Sequence, residues 1–296
     1  MAVSNAQLRA FHAVALTGSF TRAAQKLFLS QPAVSDQVRK LEEHFEILLF
    51  HRNKRSVHLT ELGEQLLGIT QRLYTVADEA QELLSNSSVL QTGSLTLAVD
   101  SPVHGLPFIA RFNQRYPGIR VRLVTGNTDE VLSRLFAYKA DVGIVGRPVE
   151  DERLLRVELS TAPLVAFVAP DHPWSSRQCI HLEDLHEVPM VLREQGSMTR
   201  QYIADEMRSA GHTLRTAIEV EGREAVFETV AAGLGVGIVS AAELGSSRSL
   251  HVLPIVDSQQ YMTETLVCLK EQGSRRIIET FLNIVRESSA KDTSGV

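Results

Sequence analysis

Cysteine and long apolar runs are scarce in this chain, and each shortage excludes a class of protein. Two cysteines, Cys179 and Cys268, lie far apart among 296 residues, so we expect neither a disulfide framework nor a cysteine metal cluster. A redox pair is the alternative, and two ordinary thiols are favoured over it. No apolar run reaches the length of a membrane span, and the N-terminus lacks a basic-then-apolar signal pattern. We therefore expect a reduced, cytoplasmic protein without a membrane partner.

Sequence motifs of catalysis, nucleotide binding and metal binding are also missing. His181 and His186 lie five residues apart, which is the wrong spacing for one helical face, and a solvated turn is favoured over a metal site. The glycines of 233–237 precede no Lys-Ser/Thr pair, and no Gly-x-Ser-x-Gly elbow occurs. We expect no enzyme, no metal and no cofactor.

Apolar residues make up 44% of the chain and charged residues 22%, which is typical of globular proteins. The length favours two or three folding units. The net charge of -5 argues against nucleic-acid binding, but residues 1–61 contain eight Lys/Arg and five Asp/Glu. That segment is therefore +3 and the remainder -8, which indicates a basic head on an acidic body.

Two short helices are predicted at the start of the chain. Apolar residues at helical spacing predict the first over residues 5–16, and Gly18 ends it. The second runs through Ala23–Leu27, with Ser19 or Thr21 as its cap.

A third predicted helix has the features of a recognition helix. Ser30 is a good N-cap, and Pro32 suits the first turn because a missing N–H costs nothing there. Two helices joined by a tight turn form a helix-turn-helix pattern, whose early polar residues suit base edges and whose later cations suit phosphates. A merely solvated face is the alternative. The expected buried stripe is Ala33, Val34, Val38, Leu41 and Phe45. The expected DNA-binding residues are Thr21, Ser30, Gln31, Pro32, Ser35, Gln37, Arg39 and Lys40.

A basic hairpin is predicted over residues 48–60. Arg52, Lys54 and Arg55 lie near its tip, where clustered cations add salt-dependent affinity for the phosphate backbone. We expect these three residues to bind DNA, and an ordinary basic hairpin is the alternative.

This head resembles the LysR-type transcriptional regulators. The resemblance is carried by Leu8-Arg9-Ala10-Phe11, Gly18-Ser19-Phe20-Thr21-Arg22-Ala23-Ala24, Leu29-Ser30-Gln31-Pro32-Ala33-Val34-Ser35, Gln37-Val38-Arg39-Lys40-Leu41-Glu42, Leu49-Phe50-His51-Arg52 and Gly63. Asp36 stands where the family often has a polar or basic residue. The resemblance implies a winged helix-turn-helix whose third helix enters the major groove of double-stranded DNA.

A heptad seam follows the head, with spacings that alternate between four and three residues. Its members are Leu62, Leu66, Ile69, Leu73, Val76, Ala80 and Leu83. Such a seam calls for a partner helix, and a helix packed within its own chain is the alternative. In LysR-like proteins the corresponding helix dimerises, so the resemblance implies a homodimer or homotetramer.

The rest of the chain alternates between strands and helices, which predicts α/β lobes with ligands at the carboxyl ends of the strands. The predicted strands are 94–99, 119–125, 141–146, 164–169, 190–193, 217–221, a short one after the 233–237 glycines, and 265–270. The predicted helices are 104–116, 127–139, 198–210, 225–232 and 275–287. Landmarks such as Ala140-Asp141-Val142-Gly143-Ile144 and Gly233-Leu234-Gly235-Val236-Gly237 are similar to the periplasmic-binding-protein-like effector domain of the same family.

The predicted fold class is thus α/β with an α-rich N-terminal head. We predict a winged helix-turn-helix over 1–61, a linker and dimerisation helix with a hinge over 62–91, and a two-lobed effector domain over 92–296. Lobe I is expected at about 92–162 and 264–296, and lobe II at about 163–263.

Polar residues after the predicted strands outline a small-molecule site in the cleft. A helix N-terminus at Ser197 suits an anionic group, and a simple helix cap is the alternative. The expected effector-binding residues are Ser101, Thr125, Asn127, Arg147, Ser197, Thr199, Arg200 and Arg223. The 193–200 run, together with residues 8–14, is similar to the subgroup associated with aminoethylphosphonate catabolism.

The leading hypothesis is a sequence-specific transcriptional regulator, mainly an activator and alternatively dual, modulated by a small molecule, with an anionic one favoured. A transport-type binding protein whose head is an interaction module is the rival. It predicts no salt-dependent binding to duplex DNA.

Overall fold

The computed structural model describes residues 3–53, 56–84, 93–186, 188–244 and 249–292. The chain divides into two compact units, with the division between residues 86 and 87.

The first unit is three helices, a hairpin and a long helix. Its elements are α1 (Asn5–Thr17), α2 (Phe20–Leu27), α3 (Gln31–Phe45), β1 (Phe50–Asn53), β2 (Ser56–Leu59) and α4 (Glu61–Leu84). Serines begin the first three helices: the hydroxyls of Ser4, Ser19 and Ser30 each accept a hydrogen bond from the backbone N–H three residues later. These local bonds fix helix starts wherever Ser precedes a helical pattern.

Aromatic rings from three elements form the core of the first unit. The ring of Phe50 lies 5.4 Å from that of Phe11 and 5.9 Å from that of Phe20. From α3, Val34, Val38 and Leu41 are buried against this core. The expected burial of Ala33 and Phe45 was wrong, because these two positions lie at the ends of α3, where the helix face has already turned towards solvent.

Helix α4 uses two different faces. One face carries the buried residues Gly63, Leu67, Thr70 and Gln71, which pack on the three-helix head. A Cβ at Gly63 would collide with the carbonyl oxygen of Leu49, so glycine is required there. The other face exposes the heptad residues Leu62 (41%), Ile69 (53%), Leu73 (43%) and Val76 (61%). The helix therefore packs within its own chain while leaving these four seam residues exposed. Leu66 is half-buried against the head, and the side chain of Leu83 lies outside the described residues.

The second unit is two α/β lobes built on one sheet. Its strands are β3 (Gly93–Val99), β4 (Ile119–Thr125), β5 (Val142–Val145), β6 (Leu154–Val168), β7 (Pro189–Arg193), β8 (Arg215–Val220), β9 (Val236–Ser240), β10 (His251–Pro254) and β11 (Tyr261–Leu269). Its α-helices are α5 (Pro102–Arg115), α6 (Thr128–Phe136), α7 (Met198–Ser209), α8 (Arg223–Ala231) and α9 (Arg276–Asp292). In the described residues the strand order is β4-β3-β5-β11-β6-β9-β7-β8, and β10 pairs with β6.

Strands β6 and β11 join the lobes. They pair antiparallel along almost their whole length, from Tyr261 opposite Pro163 to Leu269 opposite Leu154. On one side β11 continues to the parallel strands β5, β3 and β4, and on the other β6 continues through β9 to β7 and β8. The ends of the parallel strands in both lobes consequently face a shared cleft.

Two strands differ from the sequence expectation. Strand β6 begins ten residues before the predicted 164–169 segment, because its first part alternates between half-buried and exposed positions and carries no continuous apolar run. Strand β10 was missed altogether; it is four residues long and lies at the edge of the sheet beside β6.

Candidate functional site

The exposed face of α3 begins with polar residues. Gln31 is exposed, Ser35 and Gln37 are half-buried, and the buried residues of the helix lie on the opposite side. Thr21, at the start of α2, is exposed as well. The structure thus places the amide and hydroxyl groups predicted to read bases on the solvent side of the first two turns.

The cations predicted to bind phosphates are held in ion pairs within α3. Asp36 lies 2.6 Å from Arg39 and 2.8 Å from Lys40, and Arg39 lies 2.9 Å from Glu43. Hydrogen bonds from Lys40 and then Arg39 lower the pKa of Asp36. Because all four side chains are at least one-third exposed, a DNA phosphate can compete for the cations at small cost.

Glu42 connects α3 to the hairpin. Its side chain is buried, and its Oε1 accepts hydrogen bonds from the backbone N–H of Leu49 at 2.9 Å and of Phe50 at 3.3 Å. This contact sets where the hairpin leaves the head. Lys54, Arg55 and the side chain of Arg52, which were predicted to contact DNA, lie outside the described residues.

An apolar groove of about 260 Å³ lies beside the heptad seam. It is lined by residues of α1, α3 and α4 and of the segments before α1 and β1: Val3, Leu8, Leu41, Phe45, Ile47, Leu49, Leu62, Gln65, Leu66 and Ile69. Phe45, the residue expected to be buried, is 48% exposed here. The seam of α4 and this groove together form one apolar surface.

A cavity of about 510 Å³ lies in the cleft between the lobes. Thr125 and Asn127 line it from lobe I, and Arg223 lines it from lobe II, as predicted from the ends of the strands. Arg193, which sequence analysis left out of the site, lines it too. Arg147 and Arg200 are absent from its described lining residues.

Beside this cleft, the N-termini of α6 and α7 meet at a second, much smaller cavity of about 10 Å³. Asp100 lines it just before α5, Thr128 begins α6, and Ser197 and Thr199 lie at the start of α7. At this point the lobes nearly touch, because a Cβ on Gly196 would lie 3.0 Å from the amide nitrogen of Asn127.

The serines before α5 and α7 do not act as side-chain caps. Neither Ser101 nor Ser197 caps its helix through the hydroxyl, and both hydroxyl oxygens are buried without a hydrogen-bond partner. The simple-cap interpretation of Ser197 is therefore wrong in this structure. The hydroxyl of Ser197 lines the small cavity and is available for a ligand.

Four arginines at or near the cleft are paired with neighbouring acids. Arg193 lies 2.7 Å from Glu194, and Arg223 lies 2.6 Å from Glu224. Arg147 lies 3.4 Å from Asp129, and Arg200 pairs with Glu219 at 2.6 Å. An anion in the cleft would have to exchange with the carboxylates that hold Arg193 and Arg223.

A buried group of acids, missed by sequence analysis, lies at the base of the cleft. Asp100 accepts hydrogen bonds from Gly146 N at 2.5 Å and from Thr128 at 3.1 Å. Burial, followed by the charges of Glu264 and Glu243, raises the pKa of Asp100 to about 7. The only sequence signal for Asp100 was its place at the end of a strand.

His104 lies among these acids. Burial works to lower its pKa, but the neighbouring carboxylates of Glu243 and Glu264 prevail and raise it to about 9. These residues come from distant parts of the chain, so no spacing pattern could have joined them.

Residues 6–64 match the family model described as bacterial regulatory helix-turn-helix protein, lysR family, and residues 89–290 match the LysR substrate binding domain. The chain belongs to the LysR family of bacterial regulators. This LysR-type regulator is a transcriptional regulator rather than an enzyme, and the winged helix-turn-helix and two-lobed α/β fold predicted from the sequence are confirmed.

Relatives and solved structures agree with this family. The LysR-type chain is 37% identical to the RuBisCO operon transcriptional regulator of Allochromatium vinosum, over 92% of this chain and 87% of the relative. It is 30% identical to the HTH-type transcriptional activator CmpR of Synechocystis, over 94% and 93%. A full-length OxyR from Pseudomonas aeruginosa has the same fold, with a TM-score of 0.79 at 22% identity over 97% of this chain and 95% of that one.

Among the described helices, none is both long and apolar enough to cross a membrane. The subgroup similarity, the exact domain limits and the individual site residues stay predictions.

Proposed function

We propose that this regulator reads operator DNA as a cytoplasmic dimer or tetramer, and that an anionic small molecule bound between its lobes switches it, mainly as an activator. The cavity of about 510 Å³ between the lobes carries the proposal, because Arg193 and Arg223 line it and it adjoins the start of α7 at Ser197. The predicted limits of 1–61 for the head, 62–91 for the linker and 92–296 for the effector domain belong to the same proposal.

Helix N-termini favour negative charge. The first N–H groups of a helix have no partner within it, and the helix dipole adds partial positive charge at that end. Ser197 adds a hydroxyl whose residue is 3% exposed and whose oxygen lacks a hydrogen-bond partner. Leaving such groups unsatisfied costs about 1–3 kcal/mol each. A phosphate or phosphonate oxygen would satisfy them.

The ligand would couple to the lobes by contacting both. Asn127 belongs to lobe I and Ser197 to lobe II, and both line the small cavity. An anion between them favours the closed arrangement of the lobes over an open one. A ligand shifts such an equilibrium only by its difference in affinity for the two states, and contacts to both lobes supply that difference.

The DNA-reading half of the proposal rests on α3 and α4. Gln31 and Ser35 offer groups that donate to and accept from base edges, and the exposed seam residues of α4 suit a second copy of the chain. A dimer would address two half-sites. The activator role is supported by the name of the CmpR relative.

Calorimetry with phosphate, sulfate and 2-aminoethylphosphonate tests the anion site. We expect at least one of these anions to bind and to raise the melting temperature. Ser197→Ala should weaken that anion at least tenfold, because it removes a buried donor. Ser209→Ala is the matched control, since Ser209 is an exposed serine at the other end of α7. Failure of all three anions to bind, or equal binding by the two serine variants, contradicts the proposal.

A further inference from the structure

Three metal-ligand side chains meet at the base of the cleft. His104 lies on α5 of lobe I, Glu243 follows β9 of lobe II, and Glu264 lies on the crossing strand β11. One potential ligand atom from each lies within 4.8 Å of those of the other two. The side chains are 8%, 5% and 1% exposed, so this is an interior cluster rather than an exposed acidic patch.

The cluster lacks hydrogen-bond partners. Nε2 of His104 lies 3.3 Å from Glu264 and 3.7 Å from Glu243, and neither contact has hydrogen-bond geometry. Both carboxylate oxygens of Glu264 and Oδ1 of Asp100 are buried without a hydrogen-bond partner. Buried carboxylates are normally paired or coordinate a metal. The unsatisfied carboxylate oxygens are acceptors, which a bound cation would satisfy.

The net charge of the cluster also favours the binding of a cation. Two carboxyl groups, those of Glu243 and Glu264, face one imidazole, and the charges of both also act on Asp100. Arg223 approaches this group, but its guanidinium donates to the main-chain carbonyl of Glu243 at 3.2 Å and pairs with Glu224. A single imidazolium leaves negative charge uncompensated in a site of low dielectric. A divalent cation would offset it more completely.

We propose that His104, Glu243 and Glu264 form a divalent metal site of the Zn²⁺ type. One imidazole nitrogen and two carboxylate oxygens are three protein ligands, which leaves a fourth position for water or a ligand oxygen, as in open zinc sites. Zn²⁺ ligands stand about 2.0–2.2 Å from the metal, so small rotations of the two glutamate side chains would close the site. The imidazole favours Zn²⁺ over Mg²⁺ or Ca²⁺, which prefer all-oxygen shells.

The position of the site connects it with regulation. Its ligands come from lobe I, lobe II and a strand that joins them, so a bound metal ties the lobes together directly. Glu243 also lines the small cavity beside Ser197. The metal would therefore act as a second input on the same lobe equilibrium, separate from the anion.

Zinc chloride titration of the full-length, chelator-stripped protein tests the site, with metal content measured after dialysis. We expect one tightly held zinc per chain and a higher melting temperature with zinc. Glu264→Gln should weaken zinc at least a hundredfold, since an amide oxygen is a poor zinc ligand. Glu287→Gln is the matched control, because Glu287 is 66% exposed on α9, and it should bind zinc like the wild type.

A surface histidine pair is the rival zinc site. The rings of His186 and His212 lie 5.4 Å apart, and His186 is exposed. His212→Ala should leave the tight zinc in place. Loss of zinc in His212→Ala together with retention in Glu264→Gln would overturn the proposal, as would the absence of tight zinc from the wild type.

Folding of the variants is checked by circular dichroism, and Glu243→Gln provides a second test if Glu264→Gln does not fold. X-ray absorption spectroscopy of the zinc-loaded wild-type protein identifies the zinc ligands without any variant. We expect a shell of one imidazole nitrogen and carboxylate oxygens. A shell with two or more histidines or a sulfur contradicts the assignment.

Discussion

Replacing Glu42 by alanine should detach the hairpin from the recognition helix. Glu42 is 6% exposed, and its carboxylate accepts hydrogen bonds from two backbone N–H groups, those of Leu49 and Phe50. Hydrogen bonds to a charged group contribute roughly 1.5–3 kcal/mol each, so the variant should lose about 3–5 kcal/mol of folding free energy in the head. A change of this size lowers the melting temperature of a small unit by at least about 10 °C.

Glu42→Gln and Glu43→Ala are the controls. The glutamine keeps a neutral acceptor and should lose about half as much free energy. Glu43 is the next residue and is 60% exposed, so its replacement should change the free energy of unfolding by less than about 0.5 kcal/mol. Calorimetry of the head transition measures the loss, and amide hydrogen exchange at Leu49 and Phe50 locates it. Equal melting of Glu42→Ala and Glu43→Ala, with unchanged protection of both amides, would refute the reasoning.

Three further predictions follow from the charged and apolar surfaces. Asp36→Asn should release Arg39 and Lys40 of α3, and so raise the affinity for any DNA duplex several-fold and steepen the salt dependence of binding. Anisotropy titrations at several salt concentrations measure both changes. An unchanged salt slope would contradict the prediction. Asp100→Asn should flatten a pH dependence. The pKa of Asp100 is raised from 3.8 to about 7, so the folded state retains the proton better. Stability therefore falls as pH rises from about 4 to 7, by on the order of 4 kcal/mol in all. Denaturant melts at pH 5 and pH 8 should differ less in the variant than in the wild type, and an equal difference would count against the assignment. Ile69→Asp should leave the fold intact and abolish dimerisation, because it places a charge in the exposed seam of α4. Light scattering measures the oligomeric state, and a variant that still forms a dimer would exclude this seam as the interface.

Local signals made the head predictable from the sequence. Helix starts follow from serine caps whose bonding partners lie three residues away, as at Ser4, Ser19 and Ser30. The heptad spacing likewise placed an apolar stripe on one face of α4, and the structure exposes that stripe. These features depend on neighbours within one or two helical turns, which a single sequence contains.

Features that depend on contacts between distant segments could not be predicted from the sequence. The first half of β6 alternates in burial because β11 pairs with it, and β11 lies about a hundred residues later. The acids at the cleft base meet only when both lobes have formed. Arg193 and Arg200 are close in sequence, yet only Arg193 lines the cleft, because Arg200 turns to bind the Arg193 carbonyl oxygen and Glu219.

Specific DNA binding by the first turns of α3 tests the central claim most directly. A preferred duplex is first selected from random sequences with the wild-type protein, and its affinity is then compared with that of a scrambled duplex for wild type, Gln31→Ala and Ser35→Ala. We predict that both variants lose at least tenfold of the preference while their salt slope is unchanged, because they remove base contacts and no phosphate contact. Arg52→Ala should instead weaken both duplexes alike and reduce the salt slope. An unchanged preference in both helix variants would contradict the account.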